Sequence, residues 1–268
     1  MARNIIQTDV NNNMVYGEPE LIDSSIKFIG KNNILYFERD DIKLESSFIV
    51  FKGNNSVVVI RRTPNPIKIA LVIYSESAVY IGRDVWMTGK FELNVGEAKN
   101  LIIGDECLIS SQCSARTTDS HMIYSIETLN RTNEGRSIFI GDHVWIAARV
   151  ALLKGTRIHS GSIIGSDAVV SGKEIFSNTI WGGNPARLIK SNIFFDKTGT
   201  HALTNIQIPA FSIYDNEKAK KYIFRNDLTY LPFDTLDNQL IDSESSESRL
   251  NVLLDLLKYS KKNRFAKL

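Results

Sequence analysis

A six-residue repeat limits what this chain can fold into more than any other feature of its sequence. In steps of six from position 140, every residue is large and apolar: Ile140, Ile146, Leu152, Ile158, Ile164, Val170 and Phe176. Four residues after each of the first five lies a small or β-branched residue: Val144, Val150, Thr156, Ser162 and Ala168. A helix repeats near 3.6 residues and a strand at two, so neither element alone explains a period of six.

A period of six is typical of a triangular coil in which short strands alternate with tight corners. Three hexads close one turn, and stacked turns form a parallel β-helix in which each turn buries its apolar face against the next. The large residue is then predicted to point inward from a strand, and the small residue to fit the interior at the corner. An α/β domain with apolar strands is the alternative interpretation.

The same phase continues upstream with interruptions. Ile81 and Ile103 each begin a hexad, and Cys107 and Cys113 occupy small positions of the second series. Both cysteines are therefore predicted to be core residues, since two are too few for a disulfide framework. The spacing of Ile81 and Ile103 exceeds three hexads, which predicts a short loop near 95–100.

The pattern divides the chain into three segments. They are a polar N-terminal segment over 1–25, a β-helix domain over 26–190 with a loop near 116–137, and a C-terminal extension over 191–268. Within the extension, residues 236–249 are rich in Asp, Glu and Ser and are predicted to be a linker.

The end of the extension has a helical pattern. Leucines recur at helical spacing: Leu250, Leu253, Leu254 and Leu257. This predicts a terminal amphipathic helix that packs on the β-helix or on a neighbouring subunit. Basic residues follow it: Lys258, Lys261, Lys262, Arg264 and Lys267. A weak contact of this basic end with a membrane surface is an open alternative.

Composition excludes several functional classes. The 268 residues are 43% hydrophobic and carry a net charge of +2, which is not the footprint of a nucleic-acid binder. No apolar run approaches the ~18–20 residues needed to span a bilayer, and the N-terminus lacks a signal-peptide core, so we expect a cytoplasmic protein. The sequence contains no G-x-S-x-G, G-x-G-x-x-G or P-loop motif.

Residues 138–190 resemble the hexapeptide-repeat acyltransferases. The similarity lies in I-G-D-H-V-W-I, L-L-K-G, I-I-G-S-D-A-V-V and G-N-P-A-R-L-I-K, although the phase breaks at Ser171–Glu174. The stretch R-T-T-D-S-H-M-I-Y-S, Arg116–Ser125, is similar to a loop of the capsular sialic-acid O-acetyltransferases. The resemblance covers about residues 26–195. It implies an all-β, left-handed parallel β-helix, acetyl-CoA as the donor, a homotrimer, and a hydroxyl of a capsular or other surface carbohydrate as the acceptor.

Transfer of an acetyl group from a thioester to a hydroxyl needs a base for the acceptor proton and a donor to the developing oxyanion. His121 lies on the polar segment that interrupts the hexads, and an imidazole suits proton abstraction near neutral pH. The resemblance assigns the general base to a loop histidine, which His121 matches; a surface histidine is the alternative. Asp119 is expected either to orient this imidazole or to make local loop hydrogen bonds.

The other histidines of the repeat region carry no predicted role. His143 and His159 fall at hexad positions that are predicted to be exposed. A metal site of the γ-carbonic-anhydrase kind needs three converging histidines, two of them close together in the sequence. That close pair is lacking here, so no metal is expected.

The donor site is predicted from Trp145 and the residues that follow it. Trp145 precedes the inward Ile146 and should point outward, and the resemblance places it near the thioester of acetyl-CoA; an aromatic at a subunit interface is the alternative. Ala147 replaces the usual glycine. The remaining expected contacts are Gly165 and Ser166 through the backbone, and Lys173, Arg187 and Lys190 at the phosphates, unless these cations are only solvated.

These observations favour an acetyl-CoA-dependent O-acetyltransferase of a surface carbohydrate, with sialic acid among the candidate sugars. N-acetylation of an amino sugar or nucleotide-sugar is the alternative within the same enzyme class. A non-catalytic β-helix assembly module is the alternative outside it.

Overall fold

Short strands joined by tight corners form most of the chain. The computed structural model describes residues 5–268, and its strands are β1 (Ile5–Thr8), β2 (Met14–Tyr16), β3 (Glu20–Ile22), β4 (Ser25–Phe28), β5 (Ile34–Phe37), β6 (Lys43–Glu45), β7 (Phe48–Phe51), β8 (Val57–Ile60), β9 (Ile69–Ile73), β10 (Ala78–Ile81), β11 (Trp86–Met87), β12 (Phe91–Val95), β13 (Asn100–Ile103), β14 (Leu108–Ile109), β15 (Cys113–Arg116), β16 (Ile138–Ile140), β17 (Trp145–Ile146), β18 (Ala151–Leu153), β19 (Arg157–Ile158), β20 (Ile163–Ile164), β21 (Val169–Val170), β22 (Glu174–Ile175), β23 (Thr179–Gly182) and β24 (Arg187–Ser191). The helices are a 3-10 turn (Ile208–Phe211), α1 (Asn216–Ala219), α2 (Phe233–Ile241) and α3 (Ser246–Lys258).

The strands stack into three faces of a triangular coil. Face 1 has the order β1-β2-β5-β8-β10-β13-β16-β19-β22, face 2 the order β11-β14-β17-β20-β23-β24, and face 3 the order β21-β18-β15-β12-β9-β7-β4. Strands β3 and β6 pair separately in the first turns. The chain passes from face 1 to face 2 to face 3 in each turn, for about seven turns, and the predicted left-handed parallel β-helix is confirmed.

The six-residue repeat sets the register between turns. On face 1, Ile103 lies beside Ile140, Ile140 beside Ile158, and Ile158 beside Ile175. The first six large residues of the repeat, Ile140 to Val170, are fully buried in one core, and so are the small residues at the corners. Cys107 and Cys113 are buried in the same core as free thiols, as predicted.

The seventh step of the repeat is wrong. Phe176 is 40% exposed, and its neighbour Ile175 takes the core position instead. The reason is that the turn after Ile158 is one residue short of three hexads, so that Ile175 pairs with Ile158 in β19. The missing residue coincides with the phase break at Ser171–Glu174.

The start of the coil and the predicted loop near 95–100 can be compared with the structure. The turns begin with β2, which pairs in parallel with β5, inside the segment 1–25 that the sequence assigns to a polar N-terminus. The predicted loop near 95–100 is the corner between β12 and β13, where Glu97 and Ala98 have φ of 58° and 51°.

The C-terminal extension folds back over the outward side of face 1. A second apolar cluster joins Val57, Val59, Ala78, Tyr80, Ile102 and Phe139 of the strands to Phe233, Leu236, Leu240, Leu250, Leu253 and Leu256 of α2 and α3. The predicted terminal helix is confirmed as α3, which packs on the β-helix of its own chain. The predicted linker over 236–249 is wrong, because most of this segment is helical and Ser245 begins α3 with a capping box to Ser248.

Arg264 ties the end of the chain to the β-helix. It is 1% exposed, and its Nε and Nη2 lie 2.9 and 2.7 Å from the two carboxylate oxygens of Asp142, with Asp105 Oδ2 at 3.1 Å from Nη2. Arg264 is therefore not part of an exposed basic surface, contrary to its place in the predicted basic end. The membrane-surface contact of that end stays a prediction. None of the helices between residues 5 and 268 has both the length and the apolar character of a membrane span.

Candidate functional site

The loop that interrupts the repeat projects from one corner of the coil. It connects β15 of face 3 to β16 of face 1, and its two ends meet where the Arg136 backbone N–H donates to the Thr117 carbonyl oxygen at 3.0 Å. An antiparallel bridge between Tyr124 and Arg131 pairs the two halves of the loop. The insertion is therefore a closed structure on the corner between faces 3 and 1.

Glu97 anchors this loop to the preceding turn. Its carboxylate accepts hydrogen bonds from Thr118 Oγ1 at 2.6 Å, Arg131 Nη2 at 2.6 Å and the Gly135 N–H at 2.8 Å. Burial raises the pKa of Glu97, but the hydrogen bonds from Arg131, Thr118 and Gly135 outweigh it and hold the pKa at about 2. The Glu97 carboxylate is thus fully ionised above the ordinary glutamate pKa. Its hydrogen bonds to the loop are lost only as the pH falls towards 2.

His121 is exposed, and its backbone is fixed. The His121 carbonyl oxygen accepts a hydrogen bond of 2.7 Å from Asn133 Nδ2, and Asn133 is itself 6% exposed. Lys154 of the next turn donates to the Asn133 carbonyl oxygen at 2.8 Å. The imidazole makes no hydrogen bond to any residue in the range 7–268, so its ring faces solvent from a held backbone.

Asp119 contacts the loop and not the imidazole of His121. Its Oδ2 accepts hydrogen bonds from Asn133 Nδ2 at 3.0 Å and from Lys154 Nζ. The hydrogen bond from Lys154 lowers the pKa of the Asp119 carboxyl below its usual value. Of the two expected roles, the geometry fits local loop hydrogen bonding.

Trp145 points outward from face 2, as predicted. It lies between Leu108 and Ile163 on the neighbouring turns, and Phe195 of the extension packs on its indole with ring centroids 5.8 Å apart. The indole Nε1 is shielded from solvent and has no acceptor among the described residues. The predicted acetyl-CoA site thus contains a buried indole N–H without a hydrogen-bond partner.

The predicted donor-binding residues fall on two edges of the coil. Ala147, Gly165 and Ser166 follow the strands of face 2 at its junction with face 3, where Ala147 N–H donates to the Ile164 carbonyl oxygen and Gly165 N–H to that of Trp181. Arg187 and Lys190 are exposed on β24 of the same face. Lys173 precedes β22 of face 1, at the corner that carries the His121 loop.

His143 and His159 are buried, so their predicted exposure is wrong. They are 3% and 0% exposed because the C-terminal extension covers them. His143 Nε2 donates to the Phe195 carbonyl oxygen at 3.0 Å, and its ring stacks on Phe195 at 4.1 Å. His159 contacts the Phe265 carbonyl oxygen and stacks on Phe233 at 4.7 Å. Burial lowers the pKa of both histidines.

Sequence reasoning missed the residues that hold the site. Glu97, Asn133 and Lys154 come from three separate segments, and no local pattern links them. Phe195, which packs on Trp145, lies where the repeat has already ended. Of these residues, Glu97 could have been found from the sequence, because the break in the six-residue phase before Asn100 marks the corner that carries it.

His121 and Trp145 lie on different sides of one chain. The loop of His121 emerges from the corner between faces 3 and 1, and in a triangular section this corner is opposite face 2, which carries Trp145. The structure therefore does not bring the two residues together within a single subunit.

Comparison with known proteins agrees with this architecture. The family described as bacterial transferase hexapeptide (six repeats) matches residues 137–172. A polysialic acid O-acetyltransferase of Neisseria meningitidis is 30% identical over 72% of this chain and 89% of that protein. A second protein of that name, from Escherichia coli O1:K1 / APEC, is 34% identical over 49% of this chain and 42% of its own length.

A solved structure gives the same result in three dimensions. The crystal structure of the polySia-specific acetyltransferase NeuO superposes with a TM-score of 0.65 at 30% identity, over 75% of this chain and 93% of that chain. The repeat, the coil and these similarities lead to one assignment. This chain belongs to the hexapeptide-repeat acetyltransferases, in the family of the polysialic acid O-acetyltransferases.

Proposed function

We propose that this protein transfers an acetyl group from acetyl-CoA to a hydroxyl of a capsular polysaccharide that contains sialic acid. The relatives named above support the acceptor class. The observation that carries the proposal is the solvent-facing imidazole of His121, on a loop whose backbone is fixed by Asn133 and, through it, by Lys154. A base that is positioned and also exposed is what a polymeric acceptor requires.

The chemistry needs one base and no enzyme nucleophile. His121 takes the proton of the acceptor hydroxyl as the hydroxyl oxygen attacks the carbonyl carbon of the thioester. The tetrahedral oxyanion then collapses, the carbon–sulfur bond breaks, and the imidazolium returns the proton to the leaving thiolate. Asp119 acts through the loop, since its carboxylate holds Asn133 and Lys154.

We assign acetyl-CoA to the edge of face 2. Trp145 offers an apolar surface with an indole N–H that has no hydrogen-bond partner among the described residues. A Cβ added at Gly165 would lie 3.4 Å from its nearest neighbour, which is an ordinary contact distance. The exposed cations Arg187 and Lys190 lie beyond this glycine on β24 and suit the phosphates. Lys173 lies on the other corner, between faces 3 and 1, so within one subunit it does not join Arg187 and Lys190.

Substitution of both Arg187 and Lys190 by alanine is expected to raise KM for acetyl-CoA more than it lowers kcat. The phosphates are far from the reacting carbon, so that these contacts stabilise the ground state and the transition state alike. Steady-state kinetics with acetyl-CoA as the varied substrate measures the effect. An unchanged KM in the double variant would place the nucleotide elsewhere.

The separation of His121 and Trp145 within one chain supports an active site formed between subunits. We assign the protein to a homotrimer in which the His121 loop of one subunit faces Trp145 of the next. A closed ring repeats one heterologous interface, so that each such interface contains one complete site.

Mixing inactive His121→Ala subunits with inactive Trp145→Ala subunits is expected to restore part of the activity. Some interfaces of the exchanged trimers then contain both intact residues. Activity is measured after subunit exchange has been demonstrated by mass measurement of differently tagged chains. A fully active monomer in light scattering, or no recovery despite exchange, would overturn the shared site.

The function itself is tested by acetyl-CoA consumption against a panel of capsular oligosaccharides, with acidic and neutral members. We expect consumption with oligomers of sialic acid and a product whose acetyl group is released by mild base, as an ester is. A product resistant to mild base would indicate N-acetylation. Acetyl-CoA binding without turnover on any acceptor would favour a non-catalytic module. Because acetyl-CoA is the donor, we place the reaction in the cytoplasm.

A further inference from the structure

Arg136 lies in a furrow at the foot of the His121 loop. Two glycines of successive turns form the furrow, Gly155 and Gly172, with φ of 75° and 57°. A Cβ at Gly155 would lie 2.9 Å from Arg136 Nε, and one at Gly172 would lie 2.8 Å from Nη2. A side chain at either position would displace the guanidinium from where it lies.

The furrow opens into a cleft of about 390 Å³ on the corner between faces 3 and 1. Arg136, Lys99, Arg157, Glu174 and Asp237 supply its charged side chains. The cleft therefore lies on the same corner as the loop that carries His121.

The acidic side chains of this cleft have other partners. Glu174 accepts from Lys267 and His159, and Asp237 accepts from Asn100 and Ser137. Arg157 is paired with Asp234 outside the cleft. In the described part of the chain, no carboxylate lies within ion-pair distance of Arg136, and its side chain donates no hydrogen bond.

Contacts connect Arg136 with the segment that fixes His121. The Gly155 N–H donates to the Arg136 carbonyl oxygen at 3.3 Å, and Gly155 follows Lys154. Lys154 holds the carbonyl of Asn133, which in turn holds the carbonyl of His121. The backbones of Arg136 and His121 are therefore held by one connected set of residues.

We propose that Arg136 binds the carboxylate of an acidic sugar and so selects anionic acceptors; this rests on the function proposed above. A planar guanidinium with free N–H groups matches a carboxylate through two parallel hydrogen bonds. Lys99 on the rim of the cleft adds a second positive charge. A phosphate of acetyl-CoA offers similar chemistry, but we assign that end of the donor to Arg187 and Lys190 on face 2, away from this corner.

The test compares Arg136→Gln with the wild type on an oligomer of sialic acid. Loss of hydrogen bonds to a charged group is expected to raise KM for the acceptor about 10–100-fold, with kcat and KM for acetyl-CoA nearly unchanged. Arg136→Lys should recover only part of the loss, because an ammonium group lacks the planar fork. Arg62→Gln is the matched control. Arg62 is exposed and follows the C-terminal end of β8 on face 1, whereas Arg136 precedes the N-terminal end of β16 on the same face.

A second arm changes the acceptor instead of the protein. Reduction of its carboxylates to alcohols should raise KM for the wild type by a similar factor, and Arg136→Gln should add little to that loss. An unchanged acceptor KM in Arg136→Gln would overturn the proposal. A selective rise in KM for acetyl-CoA would also overturn it, because the anion would then be a phosphate of the donor.

Calorimetric titration with the same oligomer, in the absence of acetyl-CoA, separates this proposal from the proposed function. Binding by the wild type that weakens about 10–100-fold in Arg136→Gln supports the carboxylate contact even when no acetyl group is transferred. Equal binding by the two proteins refutes the contact while leaving the acetyl transfer in place. No binding by the wild type refutes it as well.

Discussion

Replacement of His121 by alanine is expected to lower kcat by about 10²–10⁴-fold while the β-helix persists. This factor is the usual contribution of a positioned proton transfer. The side chain is exposed and contributes nothing to the core, and the loop is held by the His121 carbonyl oxygen, which alanine retains. Initial rates of thiol release from acetyl-CoA, with acceptor at saturation, measure the change.

The matched control is His201→Ala, which removes another exposed imidazole from the C-terminal extension. It should leave kcat within a factor of about two, since solvent-exposed side chains away from a site contribute little. Wild-type turnover by a folded His121→Ala protein would remove this residue from the mechanism. Recovery of a His121→Ala protein by added imidazole would support it.

Replacement of Ile164 by aspartate is expected to unfold the β-helix. Ile164 is fully buried, and it lies between Ile146 and Trp181 on face 2. A carboxylate at this position has neither water nor a partner, and the cost of several kcal/mol is comparable to the whole stability of a domain. Because each turn is supported by its neighbours, the defect should spread along the stack. Circular dichroism and thermal melting measure the loss.

Ile206→Asp serves as the matched control for this substitution. It makes the same chemical change at a side chain that is 92% exposed, so the melting temperature should shift by less than about 2 °C. A native melting temperature for Ile164→Asp would mean that the inward phase of the repeat is wrong. Loss of structure in both variants would mean that the effect of the aspartate does not depend on burial, and the burial argument would fail.

The six-residue period is enough to predict the coil and its core. Inward positions recur every six residues, so the burial of Ile140, Ile146 and Ile158 follows from a local pattern that stacking repeats turn after turn. The same phase places Cys107 in the core and the indole of Trp145 outside it. The interruption of the pattern also located the loop of His121. These features are decided by residues that are close together along the chain.

What covers the coil and what holds the loop depend on contacts between distant segments. His143 and His159 occupy outward positions of the repeat, and they are buried because the extension folds back over them. Asp119 is drawn to Lys154 of the next turn and away from His121. Such contacts join residues from distant segments and depend on how the turns stack, and a periodic pattern contains no information about a partner outside its own period. The stacking of the turns also placed His121 and Trp145 on opposite sides of one subunit, as the proposed site between subunits requires.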